Sequence, residues 1–245
     1  MRSAAFSKRL NEKERPAGMR DPLEAAKRHA GYEAAEYVED GMVIGLGSGS
    51  TVYHALAAIS ARVKQGLNVK GVPSSRQTER WARRLGIPLV TLEEYPELDL
   101  TIDGADEVDP NLNLIKGRGG ALVREKILAY ASRRLIIVVD STKLVPTLGS
   151  RADLPVEVIP FGWKRVELAL AQFGCQPRLR MRGDRPYRSD NGNYIIDCRF
   201  TEIREPYALE SEVKRLPGVV DCGLFLGLTS LVIVGEPGGF RVITP

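Results

Sequence analysis

Leu23, Ala26, Ala30, Ala34 and Val38 recur at helical spacing and predict a helix over 22–37, with Asp21 as its cap and Pro22 at its first position. Met42–Leu46 is short and apolar, a buried strand that runs into a glycine turn. Helical spacing returns over 50–63. Val69–Pro73 reads as a strand, Thr78–Leu85 as a helix, and Pro88–Leu92 and Leu98–Ile102 as two more short strands. Ala121–Arg133 is helical in pattern, and Leu135–Asp140 is the plainest buried strand in the chain. Short apolar strands alternating with helices predict an α/β fold with a mostly parallel, Rossmann-like sheet over 21–150. Ligands in such sheets bind at the carboxyl ends of strands, which singles out the segments after Leu46, Ile102 and Val139.

The pattern changes after about residue 150. Val156–Ile159 is strand-like and Lys164–Gln172 helical. Leu179–Arg182 and Tyr194–Phe200 are strands on either side of the turn signal Asn191-Gly192-Asn193. Pro206–Arg215 is helical and Val219–Phe225 a strand. This β-α-β-β-α-β order predicts a smaller ferredoxin-like α+β domain over 151–226. Ser230–Val234 and Phe240–Ile243, around Pro237-Gly238-Gly239, predict a hairpin over 227–245 that returns to the main domain. Residues 1–20 read as a loose, basic tail with no apolar stretch of the secretory kind; Glu12 and Glu14 speak against a transit peptide, and Met19 is a second candidate start.

Composition narrows the function. Charged residues make up 27% and apolar residues 43%, a globular rather than a membrane or disordered balance. The net charge of +4 suits an anionic partner. Arg178, Arg180, Arg182, Arg185 and Arg188 crowd one stretch, but without interleaved aromatics they read as a solvated face, not a nucleic-acid surface. The 3 cysteines are far apart and form no C-x-x-C motif, so a reducing cytoplasm is expected. With only 2 histidines, a histidine-built metal site is nearly excluded.

Three segments carry chemistry. Gly45-Leu46-Gly47-Ser48-Gly49-Ser50-Thr51 joins a strand to a helix, where free N–H groups, the helix dipole and three hydroxyls suit a phosphate. It is neither a Walker A loop, lacking Gly-Lys-Ser/Thr, nor a clean dinucleotide fingerprint, since Ser50 takes the third glycine position. Asp103-Gly104-Ala105-Asp106-Glu107-Val108-Asp109 places four acids at a strand end, fit to hold sugar hydroxyls or a hard cation, or simply to form an acidic turn. In Lys116-Gly117-Arg118-Gly119-Gly120-Ala121-Leu122-Val123-Arg124-Glu125-Lys126, glycines allow close approach and Lys116 supplies a compact charge. Glu125 falls early in the next helix, where an acid is also favoured by the dipole alone and an exchange to Gln reads as a surface-facing swap.

Together, and in this order, the three segments resemble type A ribose-5-phosphate isomerases. Ser74-Ser75-Arg76-Gln77-Thr78, Asp140-Ser141-Thr142-Lys143 and Pro155-Val156-Glu157-Val158-Ile159-Pro160 extend the likeness, which runs from about Ala26 to the C-terminus. Arg118 stands where the family pattern has glycine. The resemblance implies an aldose–ketose isomerase of the non-oxidative pentose phosphate pathway, cytoplasmic, without metal or cofactor, and a homodimer or higher oligomer. It implies that Lys27, Ser48, Gly49, Ser50 and Thr51 hold the phosphate. Asp103, Asp106 and Lys116, with Gly104, Ala105, Gly117, Arg118 and Gly119, would hold the sugar. Lys143 would close the site and Glu125 would be the general base. The likeness also extends to sugar-phosphate-sensing domains of transcriptional regulators, which bind without turnover; no helix-turn-helix pattern supports that alternative. Neither nucleic acid nor membrane is an expected partner.

Overall fold

The computed structural model describes residues 21–245; the expected tail over 1–20 lies outside them. Helix α1 (Pro22–Glu36) starts where the Asp21 carboxylate accepts the Leu23 N–H at 2.9 Å. It is followed by β1 (Val43–Leu46), α2 (Ser50–Lys64), β2 (Lys70–Pro73), α3 (Arg76–Leu85) and β3 (Leu100–Asp103). Two short strands, β4 (Glu107–Val108) and β5 (Leu114–Ile115), precede α4 (Leu122–Ala131) and β6 (Leu135–Asp140). The chain then builds β7 (Leu154–Val158), α5 (Trp163–Leu170), β8 (Gln176–Leu179), β9 (Met181–Arg182), β10 (Arg185–Pro186) and β11 (Tyr194–Arg199). It ends with α6 (Pro206–Lys214), β12 (Val219–Cys222), β13 (Leu224–Phe225), β14 (Leu231–Glu236) and β15 (Gly239–Ile243).

The main sheet has the order β15-β14-β6-β3-β1-β2, parallel except for the edge strand β15. Every residue of β6 is buried, because its two faces meet two cores. Ile136 and Val138 face Ala30, Ala34, Leu56 and Ile59 of α1 and α2. Leu135, Ile137 and Val139 join Leu114, Ala129 and Phe225 on the other side. A second, antiparallel sheet has the order β12-β7-β11-β8. With α5 and α6 it follows the β-α-β-β-α-β order and has its own core, which includes Val156, Val166, Leu170, Ile196 and Val213. The hairpin of β14 and β15 pairs with β6 in the main sheet.

Three strand expectations need correction. Pro88–Leu92 is no strand: only Leu89 bridges to Gly71, and a turn follows in which Glu94 accepts the Thr91 N–H. Leu179–Arg182 is two strands with Arg180 between them. Val219–Phe225 splits at Gly223 into strands of different sheets. A Cβ on Gly223 would lie 2.2 Å from the Lys116 carbonyl oxygen, so the chain crosses Lys116 only because this residue is glycine. The sheet β13-β5-β4 was not foreseen, since strands of 2 residues carry no periodicity.

Candidate active site

From β1 the chain moves to β2 on one side and returns to β3 on the other. The loops after β1 and β3 therefore part, and a crevice opens between them at the carboxyl ends of the strands. Asp103 ties its two lips together: its Oδ1 accepts the Ser48 N–H at 3.0 Å and the Gly104 N–H at 2.8 Å. A Cβ on Gly47 would lie 2.2 Å from that oxygen, so glycine is required there for the approach. The Ser48 hydroxyl lies 2.9 Å from those of both Ser74 and Ser75, and 3.1 Å from that of Thr78. That knot ties the loop after β1 to the start of α3. It also turns the Ser48 hydroxyl away from the donor role expected of it, leaving Ser50 and Thr51 in the first turn of α2 to offer theirs.

Lys116, Asp103 and Glu125 form a buried ion cluster. The Lys116 Nζ is 3.0 Å from Asp103 Oδ2 and 3.3 Å from Glu125 Oε2, and it donates to the Gly104 carbonyl. Relative exposures are 2% for Lys116, 1% for Asp103 and 5% for Glu125, so the surface-facing reading of Glu125 is corrected. Neither carboxylate contact to Lys116 is aligned as a hydrogen bond. Burial, and then the Asp103 charge, push the Glu125 carboxyl up to about 8 against the opposing pull of Lys116. Burial works to discharge Lys116, but Asp103 and Glu125 outweigh it and hold the ammonium above the ordinary lysine range.

A cavity of about 500 Å³ opens onto this cluster. Lys27, Ser48 to Thr51, Gly104 to Asp106, Lys116 to Gly119, Glu125 and Lys143 all line it, so segments far apart in the chain converge on one cavity. Asp103 is the exception. It sits behind Lys116 and does not line the cavity; its carboxylate faces the Lys116 ammonium and the two loop N–H groups. Asp106 accepts the Arg118 N–H at 2.9 Å, so the residue standing in place of a glycine takes its loop position through its backbone. Lys143 is placed by Asp140, which accepts the Thr142 N–H at 2.9 Å and starts a short 3₁₀ turn. Asp140 and Thr142 also line the cavity without having been assigned a role; their signal was the Asp-Ser-Thr-Lys stretch.

The family model for ribose 5-phosphate isomerase A (phosphoriboisomerase A) matches residues 70–239. A ribose-5-phosphate isomerase A of Gloeobacter violaceus is 53% identical, over 91% of this chain and 97% of its own length. The chain belongs to the ribose 5-phosphate isomerase A family. A Methanoregula boonei member is 50% identical over 93% of this chain and 97% of its own. Among solved structures, a D-ribose-5-phosphate isomerase in complex with phospho-erythronic acid superposes with a TM-score of 0.89 at 41% identity, covering 91% of this chain and 99% of its own. The ribose 5-phosphate isomerase of Plasmodium falciparum gives a TM-score of 0.88 at 41% identity, with the same coverages. Away from the isomerase cavity, Glu210, Asp221 and Cys222 converge as a metal site would, but the Lys126 ammonium already fills their centre.

Proposed function

We infer that the chain interconverts D-ribose 5-phosphate and D-ribulose 5-phosphate, and we propose that it does so through an enediolate with Glu125 as the general base. The observation that carries the proposal is the Glu125 carboxyl, which lines the cavity 3.3 Å from the Lys116 ammonium and is pushed up by burial. Glu125 takes the proton from C2 of the open-chain aldose. The C–H electron pair becomes the C1–C2 double bond, and negative charge moves onto the C1 oxygen. Lys116 offsets that charge, the C2 hydroxyl proton passes to the C1 oxygen, and the same carboxyl returns its proton to C1, leaving a hydroxyl at C1 and a carbonyl at C2. The N-terminus of α2 with Ser50, Thr51 and Lys27 takes the phosphate. A 41%-identical relative binds phospho-erythronic acid, which carries a phosphate and a carboxylate and suits a cavity lined by Lys27, Lys116 and Lys143.

An ammonium already stands where a sugar-bound cation would assist, so the reading is metal-free. Activity should persist after exhaustive chelation; loss with EDTA and recovery with magnesium or manganese would refute this. Turnover of ribose 5-phosphate in D₂O separates proton from hydride transfer. Deuterium at C1 of the ribulose 5-phosphate supports Glu125, and its complete absence rejects the proton route. A cytoplasmic homodimer or higher oligomer belongs to the same reading, in keeping with three free, buried cysteines. Analytical ultracentrifugation tests the assembly.

A further inference from the structure

The arginine-rich stretch supplies one residue that the isomerase reading has not used. Arg180 stands between β8 and β9 with 15% of its side chain exposed, whereas Arg178, Arg182, Arg185 and Arg188 are exposed. Its Nε donates to Asp197 Oδ2 at 2.8 Å and its Nη2 donates to Asp197 Oδ1. This two-point grip fixes the plane of the guanidinium. The Nη1 then reaches across to the glycine loop that joins Lys116 to α4. It donates to the Gly117 carbonyl at 3.1 Å and the Arg118 carbonyl at 3.0 Å. Beside it, Tyr187 donates to the Gly119 carbonyl at 3.3 Å. Three successive carbonyls of a site loop are thus held by side chains from the β8–β11 segment.

A trans peptide points its carbonyl and its N–H in opposite directions, and the described chain has no cis bond. Holding one carbonyl therefore aims the N–H of the next residue. The held Gly117 carbonyl goes with the Arg118 N–H that donates to Asp106. The held Arg118 carbonyl goes with the Gly119 N–H, turned away from Arg180, in a residue that lines the cavity. We propose that Arg180 is a positioning residue for the isomerisation: it sets two consecutive peptide planes so that one N–H fixes Asp106 and the next, from Gly119, meets the oxygen that gains charge. This rests on the isomerase reading above.

The test uses Arg180→Ala and Arg180→Lys in the full chain. An ammonium can pair with Asp197 but cannot also span two carbonyls. Both variants should lose roughly 10- to 100-fold in kcat, the cost of a site moved by a fraction of an ångström, while KM changes less than about threefold. Arg180 lines an open cavity of about 600 Å³ next to Arg118 and Lys143, so small ions can reach the position. Guanidinium at tens of millimolar, far below denaturing levels, should restore part of the Arg180→Ala activity, and ammonium at equal ionic strength should not. An Arg180→Lys enzyme with wild-type kcat overturns the inference, and so does a folded Arg180→Ala enzyme that loses only KM or gains nothing from guanidinium. If Arg180→Ala does not fold, Arg180→Lys decides. Wild type run in the same assay keeps the two readings apart. An inactive wild type defeats the functional reading, and an active wild type with an unaffected Arg180→Lys defeats this inference alone.

Discussion

Lys116 and Lys126 lie at the two ends of the same glycine-to-helix segment, are 2% and 4% exposed, and stand 5.2 and 5.1 Å from the centroid of the Phe225 ring. Each meets two carboxylates. Lys126 places its Nζ 3.0 Å from Glu210, 2.7 Å from Asp221 and 2.8 Å from the Cys222 carbonyl, which uses all three ammonium protons. Lys116 meets Asp103 and Glu125 without aligned hydrogen bonds to their facing oxygens, and both Lys116 and Glu125 line the cavity. A closed cluster stabilises packing. An open one holds charge in low dielectric with valence left for a ligand. Burial and ion pairing alone therefore do not mark a site; unspent hydrogen-bonding capacity beside a cavity does.

The largest expected effect breaks the open cluster. Glu125→Gln keeps the shape and removes the base, so turnover of ribose 5-phosphate should fall about 100- to 10,000-fold. Substrate affinity, measured by calorimetry, should change little because the α2 loop is untouched. A folded variant with near-normal turnover would move the base to another carboxylate that lines the cavity, Asp106 or Asp140.

Breaking the closed cluster should have the opposite profile. Lys126→Met leaves Glu210 and Asp221 facing a buried methionine. Removing one partner of a buried pair costs about 3–5 kcal/mol, and the side-chain exposures of 24% and 16% on the two acids place this case near the lower end. For a chain of this size that lowers the melting temperature by roughly 6–12 °C. Turnover well below that temperature should stay within a few-fold of wild type. A variant that melts normally but is inactive would make Lys126 part of the chemistry and erase the distinction between the two lysines.

The contrast also shows what the chain reveals before it folds. The open cluster was legible through the resemblance: glycine-marked segments drew attention to Asp103 and Lys116, whereas the pattern alone left the acids open to a plain turn and read Glu125 as a helix-terminus acid facing solvent. The closed cluster was not, because Glu210 and Asp221 lie in α6 and β12, distant in sequence and without local pattern. The same reason hid Arg180, whose partners are 62 or 63 residues upstream and 17 downstream. β6 matched its apolar run from end to end, whereas Pro88–Leu92 has similar composition but no strand partner along its length. The position of Asp103 behind Lys116, away from the cavity lining, depends on side-chain depth that spacing does not encode.

A smaller effect sharpens the open side at the phosphate. Thr51, in the first turn of α2, is 9% exposed and lines the cavity. A hydrogen bond to a charged group is worth about 1.5–3 kcal/mol, so Thr51→Ala should raise KM by roughly 10- to 100-fold with a smaller change in kcat. Unchanged affinity for inorganic phosphate and for substrate would reduce the loop to a strand-to-helix turn.

The smallest effect comes from pH. Burial, and then Asp103, raise Glu125 from 4.5 to about 8, with Lys116 opposing. A base must be ionised to act, so kcat/KM should rise through that value. The ionised fraction grows about tenfold between pH 7 and pH 9, and kcat/KM should follow it. The stability consequence has the opposite sign. Between about 4.5 and about 8 the folded chain keeps a proton on Glu125 that the unfolded chain has released, so this residue's contribution to stability declines as pH rises through the window. Glutamine does not titrate. The melting temperature of Glu125→Gln should therefore gain on that of wild type from pH 5 to pH 8 and level off above it. Lys126→Met should shift its melting temperature without moving the kcat/KM midpoint. A flat kcat/KM profile over the same range, with melting curves that stay parallel for wild type and Glu125→Gln, would mean that Lys116 neutralises Glu125 as fully as Lys126 is neutralised by its own acids.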